Sequence, residues 1–359
     1  GAWFLVVYSI FCKTYEVDTM GMLIEAAERG WLPDSFIRLG IRRLVKRRLH
    51  EELRNASRQY PKLLQELSRS HLALHTEDAN KQHYEVSSDF FKIVLGSALK
   101  YSSGYWATGT ATLDQAELDM LDLYVDRAQL CDGQRVLDLG CGWGSFTLWA
   151  AQIFPKSRFT AVSNSKTQKL FIEKKVRERG LTNIQVITAD INELQLSDKY
   201  DRVVSVEMFE HVRNYQELLK RISGWLDPTG ILFVHIFCHK ELMYPFETKG
   251  KDDWMGRHFF TGGLMPSADT FSHFNEDLRI ESSWLLPGTH YEKTSRAWLE
   301  KLDNNQKAAR DALIETYGKR QIRRWIGRWR LFFMACEELF GHAQGKQWQV
   351  AHYRFKLSE

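Results

Sequence analysis

Two carboxylates and one imidazole lie close together at residues 207–211, directly after an apolar run. Glu207, Glu210 and His211 would share one face of a helical turn, because residues three and four apart are neighbours on a helix. Like charges in a partly buried cleft raise the pKa of one carboxyl group, and a nearby carboxylate raises the pKa of a histidine. Such a cluster can attract a cation and accept a proton near neutral pH. A helix N-terminus whose acids complement its dipole is the alternative interpretation.

Three glycines at alternate positions, Gly140, Gly142 and Gly144, follow a short apolar run that contains Asp138. An amphipathic pattern begins directly after them, so the segment predicts a β-strand that turns tightly into a helix. The missing side chains let a ligand approach backbone N–H groups near a helix N-terminus. The pattern therefore predicts a site for an adenosine-bearing ligand, with Asp138 holding the loop. A strand–turn–helix without a ligand is the alternative.

The elements that position these residues alternate from residue 134 onward, and the fold class is predicted as α/β. In open α/β sheets, ligands bind beyond the carboxyl ends of the strands, so the glycine turn and residues 207–211 are expected to face one crevice. The predicted strands are 135–139, 158–163, 184–189, 202–206 and 231–237, and the helices lie near 144–153, 165–179 and 214–226.

The ends of the second and third predicted strands add polar candidates for the same ligand. Ser163, Asn164 and Gln168 follow the second strand, and no acid is present there to bind ribose hydroxyls. Ser163 and Gln168 are therefore the candidates for that contact, although a Ser or Gln at a helix start can also simply cap the helix. Asp190 and Ile191 follow the third strand, where they are placed to bond the adenine amino group and cover its ring.

Outside this core, amphipathic helices are predicted over 17–75 and at 113–130. The segment 240–300 has no regular period and is rich in aromatic residues, which predicts a lid over a pocket. A small helical cap that packs on itself is the alternative. The tail is predicted as a helix at 319–340 and a strand-like segment at 347–356.

The composition excludes some partner classes. With 359 residues, 44% hydrophobic residues and a net charge of +4, the chain is ordinary for a soluble protein and too weakly basic to indicate nucleic acid. The basic run at 42–48 is interpreted as a solvated helix face, and a transient lipid contact stays open. The apolar stretch 3–11 is too short to span a bilayer and lacks the features of a signal peptide, which predicts packing of a terminal segment and no stable membrane insertion.

Five scattered cysteines without a C-x-x-C pair predict a reducing, cytoplasmic setting and no metal site. Homodimer formation stays open. The predicted partner is a small molecule. Aromatic faces stabilise cationic nitrogen, although core packing is the alternative role for such residues. The candidate substrate-binding residues are Trp254, His239, Phe260 and Trp329.

The spacing G-x-G-x-G, with an acid two residues before the first glycine, resembles motif I of the S-adenosylmethionine (SAM) dependent methyltransferases. From about residue 17 onward the chain resembles the coclaurine N-methyltransferase-like branch of the cyclopropane-fatty-acid-synthase-type SAM methyltransferases. The segments that carry this resemblance are 112–117, 120–124, 207–211, 214–215, 238–240, 252–254, 298–303, 329–330, 338–341 and Trp348.

The resemblance implies a Rossmann-like SAM-binding core at 131–240. It implies a helical N-terminal region at 1–130 that contributes to the pocket, and a cap with a C-terminal helical region at 241–359. SAM is the implied cofactor, and Tyr101 and Ser102 are implied to contact it. The complete predicted cofactor-binding set is Tyr101, Ser102, Asp138, Gly140, Gly142, Ser163, Asn164, Gln168, Asp190 and Ile191.

In that branch, the residues that match Glu207, Glu210 and His211 surround the accepting amine, and Glu210 and His211 are implied to be closest to base catalysis. Methyl transfer from a sulfonium is an in-line displacement, so an amine must lose its proton to expose a lone pair. The expected function is therefore SAM-dependent methylation of the nitrogen of a small aromatic or tetrahydroisoquinoline-like amine.

The alternative is a cyclopropane-synthase-like enzyme that modifies unsaturated acyl lipids. The site of those enzymes holds bicarbonate, which is bound partly by a cysteine, and Ser103 occupies that position here. Those enzymes also use a tyrosine in the tail, which is expected to be replaced here by Phe332 or Phe333. Both departures weaken the alternative. His235 favours it, because it matches a histidine of the cyclopropane enzymes better than the acid of the alkaloid branch.

Overall fold

The computed structural model describes residues 21–73, 86–248, 250 and 253–358. The predicted packing of the terminal segment 3–11 lies outside the described residues, as does the first part of the helical region predicted from residue 17.

Nine strands occur in the described part of the chain, and seven of them form one mixed sheet. The sheet strands are β1 (Arg135–Leu139), β2 (Arg158–Ser163), β3 (Ile184–Thr188), β4 (Tyr200–Val206), β5 (Leu226–His239), β8 (Leu278–Pro287) and β9 (Trp348–Leu357). Their order is β3-β2-β1-β4-β5-β9-β8, and β6 (Tyr244–Pro245) pairs with β7 (Leu264–Met265) separately. β1 to β5 run parallel, whereas β9 is antiparallel to both β5 and β8.

Helices flank this sheet, and the fold class predicted from the sequence is confirmed. The described helices are α1 (21–28), α2 (Asp34–Leu67), α3 (Ser88–Val94), α4 (Leu113–Ala128), α5 (Ser145–Ile153), α6 (Lys166–Glu178), α7 (Tyr215–Trp225), α8 (Trp254–His258), α9 (Thr289–Asn304), α10 (Gln306–Tyr317) and α11 (Ile322–Gly341).

The central strand β5 is buried at every residue from Gly230 to His239. Packing on both faces explains this near-continuous apolar run, because parallel strands of α/β proteins are covered on both sides. Two histidines, His235 and His239, lie fully buried within it. A buried polar group is costly unless it is hydrogen-bonded, so the partners of these rings are informative about the site.

The strand β8 differs from the sequence prediction, because it lies inside the segment 240–300 that was interpreted as a lid. Its side chains alternate between the two faces with only partial burial, and serines and charged residues interrupt the apolar pattern. β8 is recruited by pairing with β9, a contact between distant parts of the chain. The C-terminal region therefore completes the sheet and also supplies the helices over the crevice.

Ion pairs connect the N-terminal helices to α11. Arg330 donates to both carboxylate oxygens of Asp34, at 3.1 and 2.7 Å, and also to Asp303. Glu28 is buried and bonds Arg324 and the indole N–H of Trp254. These contacts hold the helices over the carboxyl ends of the strands. Among the described helices, none is long and apolar enough to cross a membrane.

Candidate active site

One cavity lies beyond the carboxyl ends of β1, β2 and β4. The segment 99–102 and the glycine turn form one side of it, and residues of β5, α9 and α11 form the other. Its surface is mainly apolar and aromatic, with a small number of polar groups that converge on it. This combination is typical of a small-molecule site at the strand ends of an α/β sheet.

The glycine turn has the backbone shape that its sequence predicts. Gly140, Gly142 and Gly144 all have positive φ, at +85°, +54° and +79°, which glycine adopts at little cost. Asp138 lies at the end of β1 and accepts a 2.6 Å hydrogen bond from the Thr147 hydroxyl of α5. Burial raises the pKa of Asp138 to about 7. This contact ties the strand to the helix that follows the turn, in agreement with a loop-holding role.

Gly140 and Gly142 differ in the space that a side chain would have at each position. A Cβ built on Gly142 has no atom within 4 Å, and this residue lines the cavity. A Cβ on Gly140 would instead lie 2.7 Å from Cγ of Met208. A side chain at position 140 would therefore displace Met208 before it reached a ligand. Gly142 is the glycine that opens the wall to a ligand.

Gly142→Val is expected to reduce affinity for S-adenosylhomocysteine (SAH) by about 10²-fold, because overpacking a site costs about 1–3 kcal/mol. The left-handed backbone adds a stability cost of about 1–2 kcal/mol. Gly180→Val is the matched control, since Gly180 has φ +65°, has no atom within 4 Å of a built Cβ and is exposed at the end of α6. Calorimetric titration with SAH that shows equal affinity in both variants would contradict the placement of the loop.

Ser163 and Gln168 form one unit at the end of β2. The Ser163 hydroxyl donates to Oε1 of Gln168 at 2.6 Å, whereas Ser165 caps helix α6 by accepting from the Gln168 backbone N–H. The side-chain Nε2 of Gln168 is buried, has no hydrogen-bond partner and belongs to the cavity wall. Gln168 therefore presents an unsatisfied donor to a ligand. Capping of α6 falls to Ser165 instead.

Of the eight other members of the predicted cofactor set, seven line the cavity: Tyr101, Ser102, Asp138, Gly140, Gly142, Asn164 and Ile191. Asp190 does not belong to its lining. Its carboxylate accepts from the backbone and side-chain nitrogens of Asn192, at 2.8 and 2.9 Å, because an aspartate readily bonds the N–H two residues on.

Glu207 occupies a strained position directly after β4. Its φ of +47° lies in the left-handed region, which non-glycine residues adopt at a cost and which is frequent at functional sites. Its carboxylate accepts from the Ser103 backbone N–H at 3.0 Å and from the Tyr291 hydroxyl at 2.7 Å, and it lies 3.2 Å from Nε2 of His235. Burial raises the pKa of Glu207 to about 7, although Lys100 and the Ser103 amide oppose this shift.

The rest of the cluster forms a 3₁₀ turn over Phe209–His211, so its three ionisable groups separate. Glu207 and His211 line the cavity, and the His211 ring packs on Phe260 with centroids 4.6 Å apart. Glu210 lies behind the wall, fully buried, and accepts from the Phe237 backbone N–H at 2.7 Å. Burial and the nearby Glu207 raise the pKa of Glu210 well above its usual range. Its second oxygen is buried without a hydrogen-bond partner.

Of the predicted substrate-binding residues, Phe260 lines the cavity, and the other three lie elsewhere. The indole N–H of Trp254 donates to Glu28 at 2.8 Å. His239 accepts on Nδ1 from two backbone N–H groups that follow it. Trp329 is fully buried against the rings of Phe90 and Phe259. Core packing and cap structure therefore occupy these three side chains.

Several polar residues of the site were not predicted from the sequence. Lys100 is buried and bonds Ser102 and the Ser103 carbonyl, and Tyr291 binds Glu207 from helix α9. A tyrosine hydroxyl from α9 thus lies against the Glu207 carboxylate. One sequence feature could have identified Lys100 as a site residue, because it directly precedes Tyr101 and Ser102. No sequence feature indicated Tyr291.

The chain matches a known protein family. Residues 72–350 match the family model described as mycolic acid cyclopropane synthetase, which is more than half of the chain. The chain belongs to this family of SAM-dependent methyltransferases. The predicted enzyme class and cofactor are confirmed.

Relatives within the family confirm the predicted resemblance to the coclaurine N-methyltransferase branch. The chain is 40% identical to (S)-coclaurine N-methyltransferase of Thalictrum flavum subsp. glaucum, over 93% of this chain and 95% of that protein. It is 38% identical to the protein of the same name from Papaver somniferum, over 93% and 97%. Cyclopropane-fatty-acyl-phospholipid synthase of Escherichia coli (strain K12) is 29% identical over 76% of this chain.

Solved structures of the family share the fold. A crystal structure of coclaurine N-methyltransferase bound to N-methylheliamine and SAH superimposes with a TM-score of 0.90, at 37% identity, covering 94% of this chain and 99% of that chain. The cyclopropane synthase MmaA2 from Mycobacterium tuberculosis gives a TM-score of 0.66 at 23% identity, over 80% of this chain and 100% of that chain. The second likeness concerns the fold alone.

Proposed function

We propose that this enzyme methylates the nitrogen of a small amine of the tetrahydroisoquinoline type. The observation that carries the proposal is the position of Glu207 and His211, which face an aromatic cavity continuous with the glycine turn. The relatives named coclaurine N-methyltransferase, and the solved relative bound to N-methylheliamine, support this class of acceptor.

The residues present fit SAM. Gly142 leaves open space in the wall, and the side chains of Gln168 and Ser145 each have a buried polar atom without a partner on that wall. Together with Tyr101 and Ser102, these residues would hold the cofactor. When bound, SAM supplies an electrophilic methyl group on a sulfonium.

The cavity also suits a cationic amine. Glu207 brings a carboxylate to the wall, and the rings of Phe237, Phe260 and Phe340 line the same space. A carboxylate attracts an ammonium ion, and aromatic faces stabilise it by cation–π contact worth about 0.5–2 kcal/mol each. These groups bind and orient the acceptor nitrogen. The apolar walls exclude water from it.

The protonated amine must lose a proton before it can act as a nucleophile. His211 is the imidazole at the wall, so we assign it the role of proton acceptor. Glu210 lies beneath the wall with one unsatisfied oxygen. Its buried carboxyl group is the candidate partner of His211 in the same turn. We therefore propose that Glu210 and His211 act in base catalysis, the role that the family resemblance implied for them.

A panel of amines tests this function. Purified enzyme is incubated with methyl-deuterated SAM and, separately, with tetrahydroisoquinolines, simple arylalkylamines and unsaturated phospholipid vesicles. We expect deuteriomethyl transfer to the nitrogen of at least one tetrahydroisoquinoline. Labelled lipid together with unlabelled amines would reject the proposal.

Acyl-lipid modification is the second candidate, and one observation favours it. His235, the histidine that matches the cyclopropane enzymes, lies against Glu207 in the described site, and Tyr291 bonds the same carboxylate. A bicarbonate-dependent cyclopropane or methyl-branched acyl product in the vesicle arm of the panel would support this candidate.

The cellular setting is proposed from cysteine chemistry. Cys131, Cys141, Cys238 and Cys336 are all free thiols in the described part of the chain. Free thiols persist in a reducing compartment, so we place the enzyme in the cytoplasm. The proposed partner is a small-molecule methyl acceptor, and no nucleic-acid partner is proposed. Light scattering of the purified enzyme distinguishes a monomer from a homodimer.

A further inference from the structure

A row of polar and aromatic side chains crosses the sheet from Glu207 to its edge. Val206, which precedes Glu207, pairs with His235 in β5, His235 pairs with His352 in β9, and His352 pairs with Trp284 in β8. Directly opposed residues in neighbouring strands point to the same face of a sheet. Both histidines are fully buried there. The function proposed above uses neither of them.

Helix α4 covers this row with two side chains spaced three residues apart. The Tyr124 hydroxyl lies 2.8 Å from Nδ1 of His235, and Nη1 of Arg127 lies 2.6 Å from Nδ1 of His352. Nε2 of His352 lies 2.9 Å from Nδ1 of His235. The Arg127 guanidinium also stacks on the Trp284 ring, 4.9 Å from its centroid. A continuous hydrogen-bonded chain therefore runs from Arg127 to Glu207.

The direction of this chain follows from its first member. Arginine has donors and no acceptor, so Nδ1 of His352 must accept, and a neutral imidazole then carries its proton on Nε2. That N–H donates to Nδ1 of His235, which places the His235 proton on Nε2. Nε2 of His235 faces Oε1 of Glu207 at 3.2 Å and donates to it.

A second chain reaches the same nitrogen from Lys100. The ammonium donates to the Ser102 hydroxyl, Ser102 bonds the Tyr124 hydroxyl, and Tyr124 bonds Nδ1 of His235. Burial lowers the pKa of Lys100 to about 8, so the group is still mainly a cation at neutral pH. Both buried cations therefore favour the same tautomer of His235, with its proton on Nε2. Burial and both cations lower the pKa of His235 well below its usual range, which keeps the ring neutral.

We propose that Arg127 and Lys100 are positioning residues, which fix His235 as the Nε2–H tautomer and so hold Glu207 as an ionised acceptor of three hydrogen bonds. With its oxygens occupied by Ser103, Tyr291 and His235, Glu207 binds the cationic amine and does not take its proton. Proton uptake is thereby directed to His211.

Other groups act on Glu207 as well. Lys100 lowers the pKa of Glu207, and the charge of Glu207 raises the pKa of Glu210 in the adjacent turn. Tyr124 from α4, Tyr291 from α9 and Cys336 from α11 also interact with its charge. These groups remain in place when Arg127 is replaced. A change seen in an Arg127 variant therefore reports the chain through His352.

Two-bond ¹⁵N–¹H spectra of histidine-labelled enzyme test the tautomers directly, with His235→Gln and His352→Gln to assign the signals among 12 histidines. We expect wild-type His235 and His352 to be neutral Nε2–H tautomers. In Arg127→Met, the His352 signal should move toward Nδ1–H. The His235 signal should become a mixture, because the Lys100 chain still reaches its Nδ1 through Tyr124. Arg127→Lys should restore both signals. A wild-type His235 that carries its proton on Nδ1, or unchanged tautomers in Arg127→Met, would overturn the proposal. This readout needs no methyl acceptor, so it is independent of the proposed function.

The kinetic readout does rest on the proposed function. In Arg127→Met, the acidic limb of the kcat/KM profile should move to higher pH by about one unit. With the pKa of Glu207 at about 7, this is a loss of about fivefold at pH 7 that approaches about tenfold at lower pH and shrinks at higher pH. Arg127→Lys should keep the wild-type profile. A purely structural role for Arg127 would lower kcat/KM by the same factor at every pH, and that result would overturn the proposal.

Discussion

His211→Ala is expected to lower kcat for amine methylation by about 10²–10⁴-fold, the usual contribution of a positioned general base. The imidazole lies on the cavity wall, where its ring packs against Phe260. SAH affinity should stay within about twofold, because the proposed cofactor site at the glycine turn is intact. Steady-state kinetics with a tetrahydroisoquinoline and titration with SAH measure the two quantities.

His258→Ala is the matched control, since His258 is half-buried in α8 beside Trp254 and does not line the cavity. It should retain nearly full kcat. Glu210→Gln separates the members of the proposed pair, because its amide oxygen can still accept from the Phe237 N–H. A kcat of Glu210→Gln equal to wild type would leave His211 as a base without carboxylate support. Near-normal kcat in His211→Ala would contradict base catalysis by this cluster.

Glu207→Gln is expected to lower kcat/KM for the amine by about 10²–10³-fold. The amide cannot match the Ser103 N–H, the Tyr291 hydroxyl and His235, all of which point to this group as donors. A buried donor left without a partner costs about 1–3 kcal/mol, and the attraction for the cationic amine is lost in addition. The pH profile provides the second readout. Because burial raises the pKa of Glu207 to about 7, kcat/KM of the wild type should rise with pH through that region as the carboxylate ionises.

In Glu207→Gln, the part of this rise that comes from ionisation of Glu207 should be absent. Glu337→Gln serves as the control, since Glu337 is a buried carboxylate that pairs with Arg38 and Arg296 outside the cavity. It is expected to change thermal stability and to leave the KM for the amine unchanged. If the two variants had the same kinetics, Glu207 would have only a structural role.

Local sequence patterns predicted the parallel half of the sheet well. β1 and β2 have the predicted bounds, and β4 begins two residues earlier than predicted. β5 has 14 residues, twice the length of the predicted 231–237. These strands have apolar runs bounded by turn residues, so their signal is contained in the chain segment itself. β8 escaped prediction because its mixed polar pattern becomes a strand only by pairing with β9.

The same distinction between local patterns and distant contacts applies to the site. The glycine turn, Ser163 with Gln168, and the pair Glu207 and His211 were predictable, because each lies at the end of a strand and the ends of parallel strands meet. The partners of Glu207 were not predictable, since they lie at residues 103 and 291, separated from it by 104 and 84 positions in the sequence. Only the folded chain brings them together.

Glu210 and Trp329 show why residue type alone is insufficient. An acid beside a histidine indicates proton chemistry, but the 3₁₀ turn directs Glu210 beneath the wall and toward a backbone N–H. A tryptophan indicates a cation–π wall, but Trp329 fills the core between α3, α8 and α11. The orientation of a side chain depends on backbone geometry that the sequence does not display.

The most direct measurement is a sequential calorimetric titration, with SAH added first to the wild type and a tetrahydroisoquinoline then added to the SAH complex. We predict saturable heat in both steps, with the second step weakened in Glu207→Gln and the first step unchanged. No heat from SAH, or amine binding that is indifferent to Glu207, would contradict a cavity that joins a glycine-lined cofactor site to an acid–imidazole wall.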